Sequence, residues 1–227
     1  MYFIHTPKII QNLFPGFVWR ILTEEPSVFL TFDDGPIPEV TPWVLEQLDR
    51  FDAKATFFAV GENVKKHPEI YRSILDAGHH VGNHTYNHLS GWTSEDVPYL
   101  HNVRKAGQVI KSSLFRPPYG KLKPGQVQFL LRHYNIIMWD VLSGDFDTSN
   151  SPQKCINNVC GNVSPGSIVV FHDSLKAWDN LKVALPEVLE RLTAAGYRFR
   201  AIPLRSIHKH SSNLSPQPHG TPRLATT

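Results

Sequence analysis

The 227-residue chain contains little cysteine and no long hydrophobic run, and both shortages limit what it can be. Its two cysteines, Cys155 and Cys160, lie five residues apart in a predicted helix, where they would not share a face. We therefore expect reduced thiols instead of a disulfide or a zinc-binding pair. Nothing approaches 18 consecutive apolar residues, so no transmembrane helix is expected.

The chain also lacks a strong excess of charge of either sign. Its formal net charge is +3, and no run of Lys and Arg is interleaved with aromatic residues, so we expect no nucleic-acid partner. Hydrophobic residues make up 41% and charged residues 19%, as in an ordinary soluble globular protein. The length is sufficient for one sizeable α/β domain.

A secretory signal is missing from the start of the sequence. Residues 1–19 have neither a basic segment nor a continuous apolar segment, because Lys8, Gln11 and Asn12 interrupt the apolar residues. We therefore expect a cytoplasmic location. An extracellular or periplasmic location is the alternative, if an export segment is missing from this sequence.

What the chain does have is a repeating alternation of strands and helices. Several of the strands are near-continuous apolar runs, which is typical of parallel strands covered on both faces. Seven strands alternating with helices predict an α/β fold whose parallel sheet closes, or nearly closes, into a (β/α)7 barrel. The predicted strands are 27–33, 54–60, 79–83, 113–116, 135–141, 167–172 and 197–202.

The helix boundaries and the domain limits follow from local signals. Helices are predicted to begin at Thr41-Pro42, at His67-Pro68, at Ser151-Pro152 and at a capping box from Thr93 to Asp96, and to end near Gly78 and Gly196. Residues 27–205 form the predicted catalytic domain, and residues 1–26 an extension that packs on the barrel. Residues 206–227 contain few large apolar side chains and are predicted to be a disordered tail.

Ionisable residues follow five of the seven predicted strands. Because the carboxyl ends of parallel barrel strands meet on one face, we expect these residues to lie close together. The segments concerned are Asp33-Asp34, His84 to His88, Arg116 to Gly120, Asp140 with Asp145, and His172-Asp173.

Three of these residues form a candidate metal site. His84 and His88 are four residues apart, so one helical turn could direct both imidazoles to one ion, although such a pair is more often two surface histidines. Asp34 supplies a third ligand. Two histidines and one carboxylate leave coordination positions open for catalysis. Zinc suits this set best, and cobalt, nickel or iron would also fit.

The remaining polar residues predict acid and base groups. Asp33-Asp34 alone favours a turn, but beside a metal Asp33 could accept a proton from an attacking water. Arg116, held by the rigid prolines that follow it, could keep Asp33 oriented and ionised. His172 could protonate a leaving group with the support of Asp145, or it could be a buried core histidine. We also predict that Trp92 stacks on a ligand.

The same motifs, in this order, resemble carbohydrate esterase family 4, the polysaccharide deacetylases with a NodB homology domain. The resemblance covers residues 27–203 and is carried by Thr31-Phe32-Asp33-Asp34-Gly35, His84-Thr85-Tyr86-Asn87-His88, Arg116-Pro117-Pro118-Tyr119-Gly120, the pair Asp145-Phe146 and the strand that ends in His172.

The resemblance implies a distorted barrel and metal-dependent hydrolysis of N-acetyl groups on amino-sugar polymers. It implies that Asp33 is the catalytic base, that Asp34, His84 and His88 hold the metal, and that Arg116 pairs with the base. It further implies that Asp145 tunes the general acid His172, and that the backbone N–H of Tyr119 helps to bind the oxyanion.

Two residues depart from the family pattern. Phe146 stands where many members have Trp, and Val170 stands where Leu is usual, and in the family both positions line the pocket of the acetyl methyl group. Both changes keep an apolar side chain, so we expect an altered fit and unchanged chemistry.

The resulting hypothesis is a metal-dependent hydrolase that removes N-acetyl groups from an N-acetylglucosamine-containing glycan, chitin-like or peptidoglycan-like, and releases acetate. One alternative is an O-deacetylase such as an acetylxylan esterase, because ester and amide hydrolysis share an oxyanion-like transition state. Another is a catalytically silent glycan-binding domain, which should have lost Asp33 or His172. Neither residue is lost.

Overall fold

The computed structural model describes residues 2–204, and a sheet of short parallel strands lies at their centre. Every ladder between these strands is parallel. The strands are β1 (Ser27–Asp33), β2 (Thr56–Ala59), β3 (His80–Asn83), β4 (Leu114–Phe115), β5 (Asn135–Ile136), β6 (Val141–Leu142), β7 (Ile168–His172) and β8 (Arg198–Phe199).

The sheet curls into an incomplete barrel. Its strand order is β5-β4-β3-β2-β1-β7-β6, with β8 paired to the start of β1. β5 and β6 are at opposite ends of this order, yet only residues 137–140 separate them in the chain. Five backbone steps span at most about 18 Å, so the two ends of the sheet must approach one another. The predicted distorted barrel is therefore confirmed.

One predicted strand, 135–141, is wrong, because it is divided into β5 and β6. The reason is a contact from a distant part of the chain. The guanidinium of Arg116 donates to the carbonyl oxygens of Ile137 and Met138, at 3.2 and 3.0 Å. Because these two carbonyls accept hydrogen bonds from Arg116 instead of from a neighbouring strand, the hydrogen-bonded strand is interrupted before Val141.

The strand β1 shows how the sheet is buried on both sides. Val28, Leu30 and Phe32 point outwards into the core beneath the helices, while Phe29 belongs to a second apolar cluster inside the barrel. Since side chains alternate along a strand, Asp33 shares the inner face with Phe29. The apolar run of β1 therefore ends with a carboxylate that faces the barrel interior.

Eight helices surround the sheet in the described part of the chain. They are α1 (Lys8–Leu13), α2 (Thr41–Asp49), α3 (Gly61–Lys66), α4 (Pro68–Asp76), α5 (Asp96–Ala106), α6 (Pro124–Leu130), α7 (Pro152–Cys160) and α8 (Trp178–Ala194). Within residues 2–204, none of these helices is long and apolar enough to cross a membrane. Cys155 and Cys160 are both free thiols, as predicted.

Three of the four predicted helix starts are confirmed, and the predicted capping box before α5 is wrong. Helix α4 begins after His67, and α7 begins after Ser151, whose hydroxyl accepts the N–H of Lys154. Thr41 is the first residue of α2 instead of its cap, because its hydroxyl donates to Asp173. Helix α5 is preceded by Glu95 instead of Thr93.

Residues from the segment 2–21 contact the gap between β5 and β6. Val18 forms an isolated bridge with Ile137, and Arg20 forms one with Ser167 on the other side of the gap. The guanidinium of Arg20 also pairs with the buried carboxylate of Asp140. These contacts join the two ends of the sheet. Residues 205–227, which include the predicted tail 206–227, lie outside the described part of the chain.

Candidate active site

The candidate site is a cavity of about 460 Å³ at the carboxyl ends of the strands. In the ladder between β1 and β7, Asp33 lies directly opposite His172. The structure brings eight of the predicted site residues together in the wall of this cavity. They are Asp33, Asp34, His84, His88, Tyr119, Phe146, Val170 and His172.

Arg116 fixes Asp33 from inside the barrel. Its Nη1 donates to Oδ1 of Asp33 at 2.7 Å and to the hydroxyl of Thr31 at 2.7 Å. The guanidinium also lies over the ring of Phe58, with 4.1 Å between Cζ and the ring centroid. Arg116 is fully buried, and burial lowers its pKa while the charge of Asp33 opposes that shift. The ion pair therefore keeps a carboxylate in place at the base of the cavity.

The candidate metal ligands Asp34, His84 and His88 form a compact cluster. One possible ligand atom from each of them lies within 4.8 Å of the others. The Nε2 atoms of His88 and His84 are 3.2 and 3.8 Å from Oδ1 of Asp34. Among the described residues, this buried oxygen has no hydrogen-bond partner. A cation would satisfy this buried carboxylate oxygen, which faces two imidazoles and has no other partner within residues 2–204. The three residues therefore fit a metal ion.

The ionisation of the cluster also suits metal binding. Burial lowers the pKa of His84 to about 4, against the charge of Asp33, so the ring is neutral near pH 7. Its Nδ1 donates to the carbonyl oxygen of Arg116 at 2.8 Å, which leaves the lone pair on Nε2. Burial raises the pKa of Asp34, but the imidazoles of His88, His172 and His84 together bring it below its usual range.

The two histidines lie on a loop, and the predicted single helical turn is wrong. Residues 84–88 follow β3 without forming a helix, and Thr85 and His88 have φ values of 65° and 57°. Asp34 has a φ of 86° and Tyr119 one of 60°. Residues other than Gly rarely adopt this left-handed conformation. The backbone is therefore locally strained at four positions around the cavity.

His172, in the cavity wall, forms a second ion pair with Asp145. Its Nδ1 is 2.8 Å from Oδ1 of Asp145, and its backbone N–H donates to Oδ2 of the same carboxylate at 2.8 Å. Burial lowers the pKa of His172, but the charge and hydrogen bond of Asp145, with smaller contributions from Asp34 and Asp33, raise it to about 9. His172 is therefore protonated near neutral pH and can donate a proton.

Three other predicted residues surround these polar groups. The ring of Phe146 lies 5.0 Å from that of His172, and Val170 lines the cavity beside it. The Tyr119 ring lies 4.8 Å from that of His88. Trp92 is not brought into the wall of the cavity. It is 60% exposed, and its Nε1 donates to the carbonyl of Leu122. The ammonium group of Lys121, a residue that does line the cavity, lies over the Trp92 ring.

Sequence reasoning gave no role to several residues that help to build the site. Trp139, Leu142 and Tyr2 line the cavity. Asp173 lies beneath it, and its carboxylate accepts the N–H of Gly35 at 3.0 Å and the hydroxyl of Thr41 at 2.6 Å. Asp173 follows a predicted strand and was noted there without a role, and Trp139 lies near the end of another predicted strand. Nothing in the sequence signalled Tyr2, which lies far from any motif.

Comparison with known proteins gives a consistent result. The family model described as polysaccharide deacetylase matches residues 21–133. A peptidoglycan-N-acetylglucosamine deacetylase of Bacillus cereus is 32% identical over 203 residues, which cover 86% of this chain and 95% of the relative. A chitooligosaccharide deacetylase of Azorhizobium caulinodans is 32% identical over 204 residues, with coverages of 81% and 96%.

The fold agrees with a solved structure of the same kind. The crystal structure of the Bc1960 peptidoglycan N-acetylglucosamine deacetylase superposes with a TM-score of 0.79 at 30% identity, over 87% of this chain and 95% of that one. The family model covers β1 and β3 and the residues Asp33, Asp34, His84 and His88 at their carboxyl ends. The chain therefore belongs to the polysaccharide deacetylase family.

Proposed function

We propose that the protein is a metal-dependent N-deacetylase that hydrolyses the acetamide groups of an N-acetylglucosamine-containing glycan, chitin-like or peptidoglycan-like, and releases acetate. One observation carries the proposal. A carboxylate held by a buried arginine, an Asp-His-His cluster and a protonated histidine all face the same cavity. This set supplies a base, a metal site and an acid within one substrate-sized space.

Asp33 and Arg116 would provide the general base. Arg116 occupies Oδ1 of Asp33, so the other oxygen, Oδ2, is free to accept a proton from a water molecule in the cavity. As this proton moves, the water oxygen bonds to the carbonyl carbon of the acetamide. The ion pair with the buried Arg116 holds the Asp33 carboxylate in the position that this role needs.

His172 would complete the reaction as the general acid. Asp145 engages Nδ1, so the proton to be donated is on Nε2. Transfer of this proton to the amide nitrogen lets the C–N bond break, and the products are acetate and a free amino sugar. A pKa of about 9 keeps His172 protonated until that step.

Asp34, His84 and His88 would hold the metal ion. Their two nitrogens and one carboxylate suit zinc best, and cobalt, nickel or iron also suit them. When bound, such an ion supplies Lewis-acid stabilisation of the charge that develops on the carbonyl oxygen. The backbone N–H of Tyr119 would help to bind the same oxygen, and Phe146 and Val170 would enclose the acetyl methyl group.

The direct test is an assay of acetate release. Purified protein, loaded with Zn²⁺, is incubated with chitooligosaccharides, with peptidoglycan glycan strands and with acetylxylan. We expect acetate from one or both of the N-acetylated glycans and much less from acetylxylan. Removal of the metal with a chelator should abolish this activity, and Zn²⁺ or Co²⁺ should restore it.

Two outcomes would contradict the proposal. Activity that survives complete metal removal would exclude the metal-dependent mechanism. Binding of the glycans by the metal-loaded protein without any acetate release would favour a silent binding domain.

A further inference from the structure

The first residues of the chain form part of the cavity, although they lie outside the stretch matched by the family model. That match begins at residue 21. Residues 4–6 run antiparallel to β6, where Leu142 donates its N–H to the carbonyl of Ile4 at 2.8 Å and Thr6 donates to the carbonyl of Asp140 at 2.9 Å. This short ladder brings Tyr2 to the wall of the cavity, beside Leu142.

Two polar contacts fix the side chain of Tyr2. Its hydroxyl donates to Oδ2 of Asp147 at 2.7 Å and accepts from Nδ2 of Asn150 at 3.0 Å. The same amide nitrogen donates to the carbonyl of Gly144 at 2.8 Å. The loop that follows β6 therefore holds the phenol at both its donor and its acceptor position, which restricts the ring to one orientation.

The Tyr2 ring packs on Phe146. The two ring centroids are 5.1 Å apart with an angle of 56° between the planes, a separation typical of attractive aromatic pairs. Phe146 in turn packs edge-on against His172, with 5.0 Å between centroids. Tyr2 thus contacts the apolar side chain that would face the acetyl methyl group, and this contact limits how far that side chain can move.

We propose that Tyr2 determines which acyl groups the enzyme accepts, because it holds Phe146 in place at the acyl end of the cavity. The inference rests on the proposed function. The Tyr2 ring occupies space next to Phe146 in the cavity wall, so removal of this ring would leave room into which Phe146 could move. A longer acyl chain needs such space, so the Tyr2 ring selects acetyl over larger groups.

The test compares two substrates of equal length, a chitooligosaccharide with N-acetyl groups and one with N-butyryl groups. Removal of the Tyr2 ring in Tyr2→Ala should reduce the ratio of kcat/KM for acetyl over butyryl by at least about 10-fold, since extra methylenes in an apolar pocket are discriminated by about this factor. Tyr2→Phe keeps the ring but loses both polar contacts, so its ratio should fall by a smaller factor.

Phe3→Ala is the matched control. Phe3 is next in the chain and 56% exposed, and it does not line the cavity, so the ratio should be that of the wild type. An unchanged ratio in Tyr2→Ala would overturn the inference. If thermal unfolding shows that Tyr2→Ala is not folded, the ratio is measured in Tyr2→Phe instead, and an unchanged ratio there would overturn the inference. Wild-type protein that releases no acetate would instead contradict the proposed function.

Discussion

The carboxylate of Asp145 binds His172 twice, through the imidazole Nδ1 and through the backbone N–H, each at 2.8 Å. The double contact fixes both the position and the tautomer of the ring. Asp145 is itself held, because the hydroxyl of Ser143 donates to its Oδ1 at 2.9 Å. The protonation state of His172 therefore depends on one buried carboxylate, that of Asp145.

Asp145→Asn should move the alkaline limb of the pH profile to lower pH. The charge of Asp145 is the main influence that raises the His172 pKa to about 9, so its removal lowers that pKa. As the pH rises, activity that needs a protonated His172 is then lost at a pH about one unit or more below that of the wild type. The measurement is kcat/KM from pH 6 to 10. Asp179→Asn, at an exposed carboxylate, is the control, and an identical profile for both variants would contradict the assignment.

Asp33→Asn should lower kcat by about 10²–10⁴-fold, the usual contribution of a general base. The amide oxygen can still accept the hydrogen bond from Arg116, so the fold should be preserved. Steady-state kinetics give the change, and isothermal titration with Zn²⁺ should show nearly unchanged metal affinity. A turnover close to that of the wild type would show that Asp33 is not the base.

Arg116→Met should destabilise the protein by about 3–5 kcal/mol, because it leaves the buried Asp33 carboxylate without its partner. Urea unfolding followed by circular dichroism measures the loss. The matched control is Arg191→Met, which breaks an exposed pair with Glu187 in α8 and should change the stability only slightly. Equal stability of the two variants would mean that the buried pair contributes nothing.

Asp173→Ala should weaken Zn²⁺ binding by about 10-fold, a loss typical of removing a group that supports a metal ligand from outside the coordination sphere. The Asp173 carboxylate holds the N–H of Gly35, the residue after Asp34, and so fixes the turn that presents this ligand. Isothermal titration with Zn²⁺ alone measures the affinity. Asp76→Ala, at the exposed end of α4, should bind as the wild type does, and equal affinities would contradict the role of Asp173.

Local sequence patterns could predict the site residues that lie at the carboxyl ends of strands. The apolar run of β1 ends at Asp33, and the sheet then brings Asp33 opposite His172 by parallel register alone. The barrel was predictable for the same reason, because near-continuous apolar strands alternating with helices have few other ways to bury both faces.

What the sequence did not predict depends on contacts between distant residues. The strand at 135–141 is divided by the Arg116 guanidinium, and the hydroxyl of Thr41, the first residue of α2, donates to the distant Asp173 instead of capping the helix. Tyr2 and Phe146 form an aromatic pair in the cavity wall, although they are 144 positions apart in the chain. Trp92 was expected on a ligand from its place after the histidines, but it lies outside the cavity wall, where its Nε1 donates to the carbonyl of Leu122, 30 residues further along the chain.

The strained backbone around the cavity has a consequence for engineering. Within residues 2–204, five residues other than Gly have a positive φ, and four of them are Asp34, Thr85, His88 and Tyr119. Each such position costs on the order of 1–3 kcal/mol. Glycine would relieve this cost but would delete a candidate metal ligand at two of the four positions, Asp34 and His88. Efforts to raise heat resistance should therefore leave these turns untouched and alter surfaces far from the cavity, because here stability and activity make opposite demands on the same residues.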